Sequence, residues 1–155
     1  MSLRYIPVSS EEARRLRQGG SDAYGNAPER HISDGDGVPC RHCLGYVDAG
    51  EPYLIFAFRP FASLQPYAET GPVFMHAEEC PMHDGASLPQ ILNSRANYLL
   101  RGYSEDERIV YGSGDVVDRE EVEARAKALL ARPDVASVHV RSTKYNCYQC
   151  RIVSA

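Results

Sequence analysis

The chain has no tryptophan, no long apolar run, no excess of basic charge and no complete catalytic signature. Each absence removes a class of protein. The longest apolar stretch, Tyr53 to Phe58, falls far short of the roughly 20 residues that a membrane-crossing helix needs, and the first residues carry no apolar secretory segment. The expectation is a soluble, cytoplasmic protein with no membrane partner. The 17 Lys and Arg are outnumbered by 21 Asp and Glu, for a formal charge of −4. Such a balance gives no long-range pull toward phosphate backbones, so nucleic acid is not an expected partner. The Arg14, Arg15 and Arg17 cluster sits beside Glu11 and Glu12 and reads as a solvated helix face. The G-x-S-x-G, P-loop, G-x-G-x-x-G and H-E-x-x-H patterns are missing, which removes the best-marked hydrolases, nucleotide binders and zinc proteases. Repeats and low-complexity tracts are absent too. A small molecule or a protein remains as the partner.

What is present describes an ordinary globular chain. Its 155 residues, 43% hydrophobic and 25% charged, suit one domain spanning 1–155 that buries about two-thirds of its unfolded surface. Residues 3–8, LRYIPV, read as a short edge strand because of their proline. The following SSEEARRLRQGG predicts a helix, with Ser9 and Glu12 at capping-box spacing and Gly19 and Gly20 as its stop. Residues 21–37 are rich in Gly, Asp, Ser and Asn and are expected to form a long loop inside the domain rather than a linker. YLIFAF, residues 53–58, is apolar on both alternating faces, as a covered central strand is. GPVFM, residues 71–75, reads as a second buried strand.

Further along, a short helix is expected within 88–101 and a strand at RIVYG, residues 108–112. DREEVEARAKALLARP predicts a helix with Asp118 as cap, Glu121 behind it, and Val122, Ala126, Leu129 and Leu130 on one face before Pro133. VASVHV places Ala136, Val138 and Val140 inward and leaves His139 exposed on the outer face. A turn over 143–146 then feeds a last strand, CYQCRIV. Strands and helices mix without regular beta-alpha-beta alternation. The predicted fold class is therefore α+β, a mainly antiparallel sheet with two or three helices packed on it.

The chemistry concentrates in the cysteines and histidines. Five cysteines without the dense framework of a small secreted domain point to thiols or metal ligands rather than disulfides. Cys40 and Cys43 with Gly45 form C-x2-C-x-G, the shape of a zinc knuckle, with the glycine expected at positive φ to aim backbone amides at sulfur. FMHAEEC places His76 and Cys80 four apart. One helical turn before Pro81 would put both on one face and complete a Cys3His set for zinc. His83 is a substitute ligand, and His42 falls just outside the ligand set. Two other readings stay open for the same residues. Cysteine also packs as a small buried hydrophobe, and a redox pair is the weaker option because Leu44-Gly45 favours a turn over the helix such a pair uses. Cys147 and Cys150, three apart on a strand, face opposite ways and read as packing residues.

The loop RPFASLQPYAETGP joins two buried strands and offers Arg59, Tyr67 and Glu69 as pocket lining, although Arg59 paired with Glu69 on a solvated connection fits equally. His31, Asp34 and Asp36 lack EF-hand spacing and a closing Glu, which favours a plain turn.

PCRHCL, GEPYLIFAFRPF, PYAETGPVFMHAEEC, DREEVEARAKALLARPDVASVHVR and NCYQCRIV, in that order over Pro39 to Val153, resemble the bacterial family known as domain of unknown function 1203. The resemblance implies a small bacterial protein and no particular catalysis. Its recurring positions correspond to Pro39-Cys40-Arg41, Gly50-Glu51, Pro66-Tyr67, Gly71-Pro72 with Phe74, and the strand from Cys147. Family members often lack a cysteine where Cys43 stands and lack the His76 and Cys80 pair, so the likeness implies that a metal belongs to a subset. Two functions follow from these residues. The first is a binding or regulatory module with a structural zinc on Cys40, Cys43, His76 and Cys80. The second is an enzyme or small-anion binder that uses Arg41, Arg59, Tyr67, Glu69 and a reactive Cys40.

Overall fold

A computed structural model describes all residues, 1–155. The chain forms strands β1 (Leu3–Ile6), β2 (Glu29–Ile32), β3 (Pro52–Phe58), β4 (Gly71–His76), β5 (Asn97–Tyr103), β6 (Asp115–Asp118), β7 (Ser137–Ser142) and β8 (Tyr148–Ser154), with helices α1 (Ser10–Arg17) and α2 (Val122–Leu130). Two antiparallel sheets result, one ordered β1-β8-β7-β5-β6 and the other β2-β3-β4. This is an α+β fold, mainly sheet. Neither helix is long and apolar enough to cross a membrane.

Two hydrophobic clusters hold these layers. In the larger one, α2 lays Val122, Ala126, Leu129 and Leu130 against Tyr98, Leu100, Val138, Val140 and Ile152 of the five-stranded sheet. In the smaller one, Ala13 and Leu16 of α1 meet Leu54, Phe56, Val73 and Met75 of the three-stranded sheet, together with Cys40 and Tyr148. Ser9 caps α1 as its spacing predicts, its hydroxyl accepting the Glu12 amide at 3.2 Å. Gly19 takes the φ of +87° that ends the helix.

Several sequence expectations need correction. β1 stops at Ile6, before the proline. Residues 21–37 contain β2, whose ERHI pairs with Ile55 to Pro52 of β3 while all four of its residues stay exposed; an edge strand with neither face buried carries no alternation to read. Residues 88–101 hold only one 3-10 turn, Gln90–Leu92, before β5. RIVYG is not a strand, and only Ile109 bridges to Tyr103. The second helix opens with a 3-10 turn over Arg119–Glu121, and the Asp118 side chain caps nothing.

His139 departs most from expectation. It is only 1% exposed, because the outer face of β7 is itself covered. Its ring lies 4.2 Å from that of Tyr103, 5.1 Å from Phe61 and 5.4 Å from Tyr148. Burial, with Arg141, Arg151 and Arg101 nearby, holds it well below the usual histidine range, so it is neutral.

The turn after the 3-10 segment is held by one buried phenol. Tyr98 donates its hydroxyl to Ile91 O at 2.6 Å and accepts the Arg95 amide at 3.1 Å and the Ser94 amide at 3.3 Å. Tyr98→Phe leaves those groups unpaired inside the larger core and is expected to cost about 1–3 kcal/mol in urea unfolding.

Candidate metal centre

The first half of the site is a tight knuckle. Val47 N donates to Val38 O at 2.8 Å, and Pro39 and Tyr46 form an isolated bridge. Inside that frame Cys40 N donates to Gly45 O at 2.8 Å and Leu44 N to Cys40 O at 2.9 Å. The positive φ falls on Leu44, at 57°, and not on Gly45 as its residue type suggests. Space at Gly45 is tight: a Cβ there would lie 3.1 Å from Gln90 Oε1 and 3.6 Å from Cys43 Sγ. The Cys43 amide lowers the Cys40 thiol and the Gly45 amide lowers that of Cys43, so the backbone favours thiolates at both.

The second half comes from the end of β4. Arg41 N donates to Phe74 O at 3.0 Å and His76 N to Cys40 Sγ at 3.3 Å, which docks the knuckle on that strand end. His76 is the last residue of β4, and Cys80 follows after a bend. The expected helical turn between them is not there. A strand end and a bend bring the two side chains to the same place by another route.

The ligand atoms of Cys40, Cys43, His76 and Cys80 all lie within 4.8 Å of one another. A tetrahedral zinc with Zn–S near 2.3 Å and Zn–N near 2.0 Å has S···S edges of about 3.8 Å and S···N edges of about 3.5 Å. Cys40 Sγ and Cys80 Sγ are 3.9 Å apart, and Cys43 Sγ and His76 Nδ1 are 3.6 Å apart. Both distances fit the donor set of a Cys3His zinc. The sulfur pair is far beyond the roughly 2.05 Å of a disulfide, and all five cysteines are free.

Charge in the cluster is shared unevenly. Hydrogen bonds from the Cys43 and Cys80 thiols and the amides around it hold Cys40 far below the usual thiol range, against the effect of its burial. Donating those protons pushes Cys43 and Cys80 up. Cys40 likewise raises His76, first through a hydrogen bond and, after the opposing effect of burial, through its charge, with Glu51 adding to it. The negative charge of the cluster is thus drawn toward Cys40.

Two outer partners were not legible in the sequence. Glu51 Oε2 stands 3.6 Å from His76 Nε2, leaving Nδ1 for the metal, an arrangement that fixes a ligating imidazole. Arg17 donates Nη2 to Cys80 Sγ at 3.2 Å and Nε to His76 O at 3.0 Å, so it is not part of a solvated face. The pairing of Tyr53 with His76 is the signal for Glu51, which lies two residues before Tyr53, but it requires the register.

The remaining candidates scatter. His42 is buried and bonds through Nδ1 to Val8 O at 2.6 Å, and His83 accepts the Gly85 amide at 3.0 Å, so neither joins the ligand set. Glu69 pairs with Arg101 at 2.8 Å and Arg141 at 3.7 Å instead of Arg59. Arg59 donates to Phe61 O at 3.3 Å, and Tyr67 packs on Tyr111 under Arg108. Arg41, Arg59 and Glu69 line three separate cavities, and Cys40 is fully enclosed. They do not form one cleft. Cys150 is buried and Cys147 half-buried, while His31 pairs with Glu29 at 2.9 Å.

The family described as Protein of unknown function (DUF1203) matches residues 37–153, which take in all four candidate ligands. The chain belongs to this family. No curated protein and no solved structure matches it. The match begins after β2, so the family's shared span contains Glu51 but not Arg17.

Zinc must displace the protons held by the thiols, and that of His76 where it is protonated, so its affinity rises with pH. The apparent association constant measured against a chromophoric chelator is expected to climb by about one log unit or more per pH unit between roughly pH 6 and 8. Glu51→Gln is expected to weaken zinc by about tenfold or more in the same titration.

Proposed function

We propose that this chain is a binding or regulatory module, set in the cytoplasm, whose Cys40, Cys43, His76 and Cys80 hold a structural zinc ion. The observation that carries the reading is the spacing of the donors, 3.9 Å for one sulfur pair and 3.6 Å for one sulfur and nitrogen, at the edges of a zinc tetrahedron. Four protein donors fill all four positions of such a centre. That closure is the mark of a structural site, since a catalytic zinc keeps one position for water or substrate. Free thiols throughout the chain suit a reducing compartment.

The ion's work would be to clamp the knuckle to the end of β4. Those segments are 33 residues apart between Cys43 and His76, and each carries wall residues of the smaller core. Zinc would supply a closed coordination shell and no reaction of its own. Because two hydrophobic cores also hold the fold, the ion would contribute part of the folding free energy and not all of it.

Protein purified without added metal is expected to contain one zinc per chain, and stripping it with a strong chelator is expected to lower Tm by roughly 10 °C. Cys43→Ser and Cys80→Ser, each half-exposed in the fold, are expected to lose the metal while staying folded below the lowered Tm. A metal-free preparation whose Tm ignores the chelator overturns the reading.

A further inference from the structure

Arg41 sits inside the knuckle yet takes no part in the metal set. It is 2% exposed. Its Nε donates to Tyr148 O at 2.8 Å and its Nη1 to Pro39 O at 3.0 Å. Two carbonyls answer its geometry but not its charge, and no carboxylate lies within ion-pair distance of it. The remaining nitrogen, Nη2, has no protein partner and is not enclosed. A guanidinium taken out of water is unfavourable unless an anion meets it.

Arg41 lines a groove of about 890 Å³ that none of the four candidate metal ligands touches. Arg95 lines it as well, and its guanidinium makes neither an ion pair nor a hydrogen bond within the protein. Against these two cations the groove offers one acidic residue, Asp36, exposed and paired with neither. Tyr46 and Phe74 supply aromatic walls, with the Arg41 guanidinium 5.9 Å from the centre of the Phe74 ring. The half-buried Cys147 thiol lies on the same wall.

We propose that this groove binds a small organic oxyanion, through its phosphate or carboxylate group, with Arg41 as the buried anchor and Arg95 as the second cation. Forked guanidinium donors suit both groups, and the aromatic walls suit an apolar body attached to the anion. The proposal uses none of the metal ligands, so it stands or falls apart from the zinc reading.

The test uses the full chain as purified, with three probes, phenyl phosphate, inorganic phosphate and benzoate, against sodium chloride of equal ionic strength. The readout is the alkylation rate of Cys147, followed by peptide mass spectrometry, with Tm as a second measure. Phenyl phosphate or benzoate at about 10 mM is expected to raise Tm and slow Cys147 alkylation several-fold. Protection by the phosphate alone assigns a phosphate ligand, and protection by benzoate alone a carboxylate. Inorganic phosphate is expected to protect less than phenyl phosphate, since it cannot use the aromatic walls. Arg95→Met, a half-buried change outside both cores, is expected to weaken protection about tenfold with zinc content unchanged. Arg41→Lys, which loses the fork, is expected to lose more. Cys147 alkylation and Tm indifferent to every probe, or an Arg95→Met protein protected as well as the parent, overturns the proposal.

Discussion

The fold turns on how the knuckle is held to the end of β4. Cys40 is at the middle of that contact: its amide closes the knuckle on Gly45, and its sulfur receives the His76 amide. It also belongs to the smaller hydrophobic core. Leu44, four residues later, belongs to the larger core. One short turn therefore touches both cores, and a change in its position would be felt by both sheets. A thiolate is the economical group for this place, since it is small enough to be fully enclosed and can still accept several hydrogen bonds.

The surroundings of the cluster follow from charge. Three thiolates, one neutral imidazole and a zinc dication sum to a single negative charge, and Arg17 faces the sulfur of Cys80 from the last turn of α1. On the far side of the cluster, Glu51 faces the outer nitrogen of His76. A cation beside the thiolates and a carboxylate beside the imidazole are the partners those ligands need to stay oriented. Arg41 points its charge elsewhere, into the groove between the knuckle, β4 and the turn before β8. The same ten-residue stretch thus supplies ligands to one site and the anchor of another.

The sequence displayed the C-x2-C-x-G turn, the His76 and Cys80 pair and the apolar face of α2, because each is a local pattern with fixed spacing. It also displayed the capping of α1 by Ser9. What it hid depended on tertiary pairing. The edge strand β2 is exposed throughout and exists because β3 offers hydrogen bonds. His139 sits on the face that alternation assigns to solvent, but Phe61, Tyr103 and Tyr148 cover that face. The approach of Cys80 to Cys40 needed no helix, only a bend after a strand end. Glu51 and Arg17 became partners through register and through the docking of α1, neither of which composition reveals. Arg59, Tyr67 and Glu69 share a loop but not a cavity, since Glu69 is drawn to Arg101 and Arg141 of the larger sheet.

X-ray absorption at the zinc edge, on protein holding one equivalent of zinc, addresses the metal centre most directly. The donor set predicts three sulfur neighbours at about 2.3 Å and one nitrogen at about 2.0 Å. A shell of oxygen and nitrogen alone, or zinc that leaves with the buffer on desalting, would contradict it.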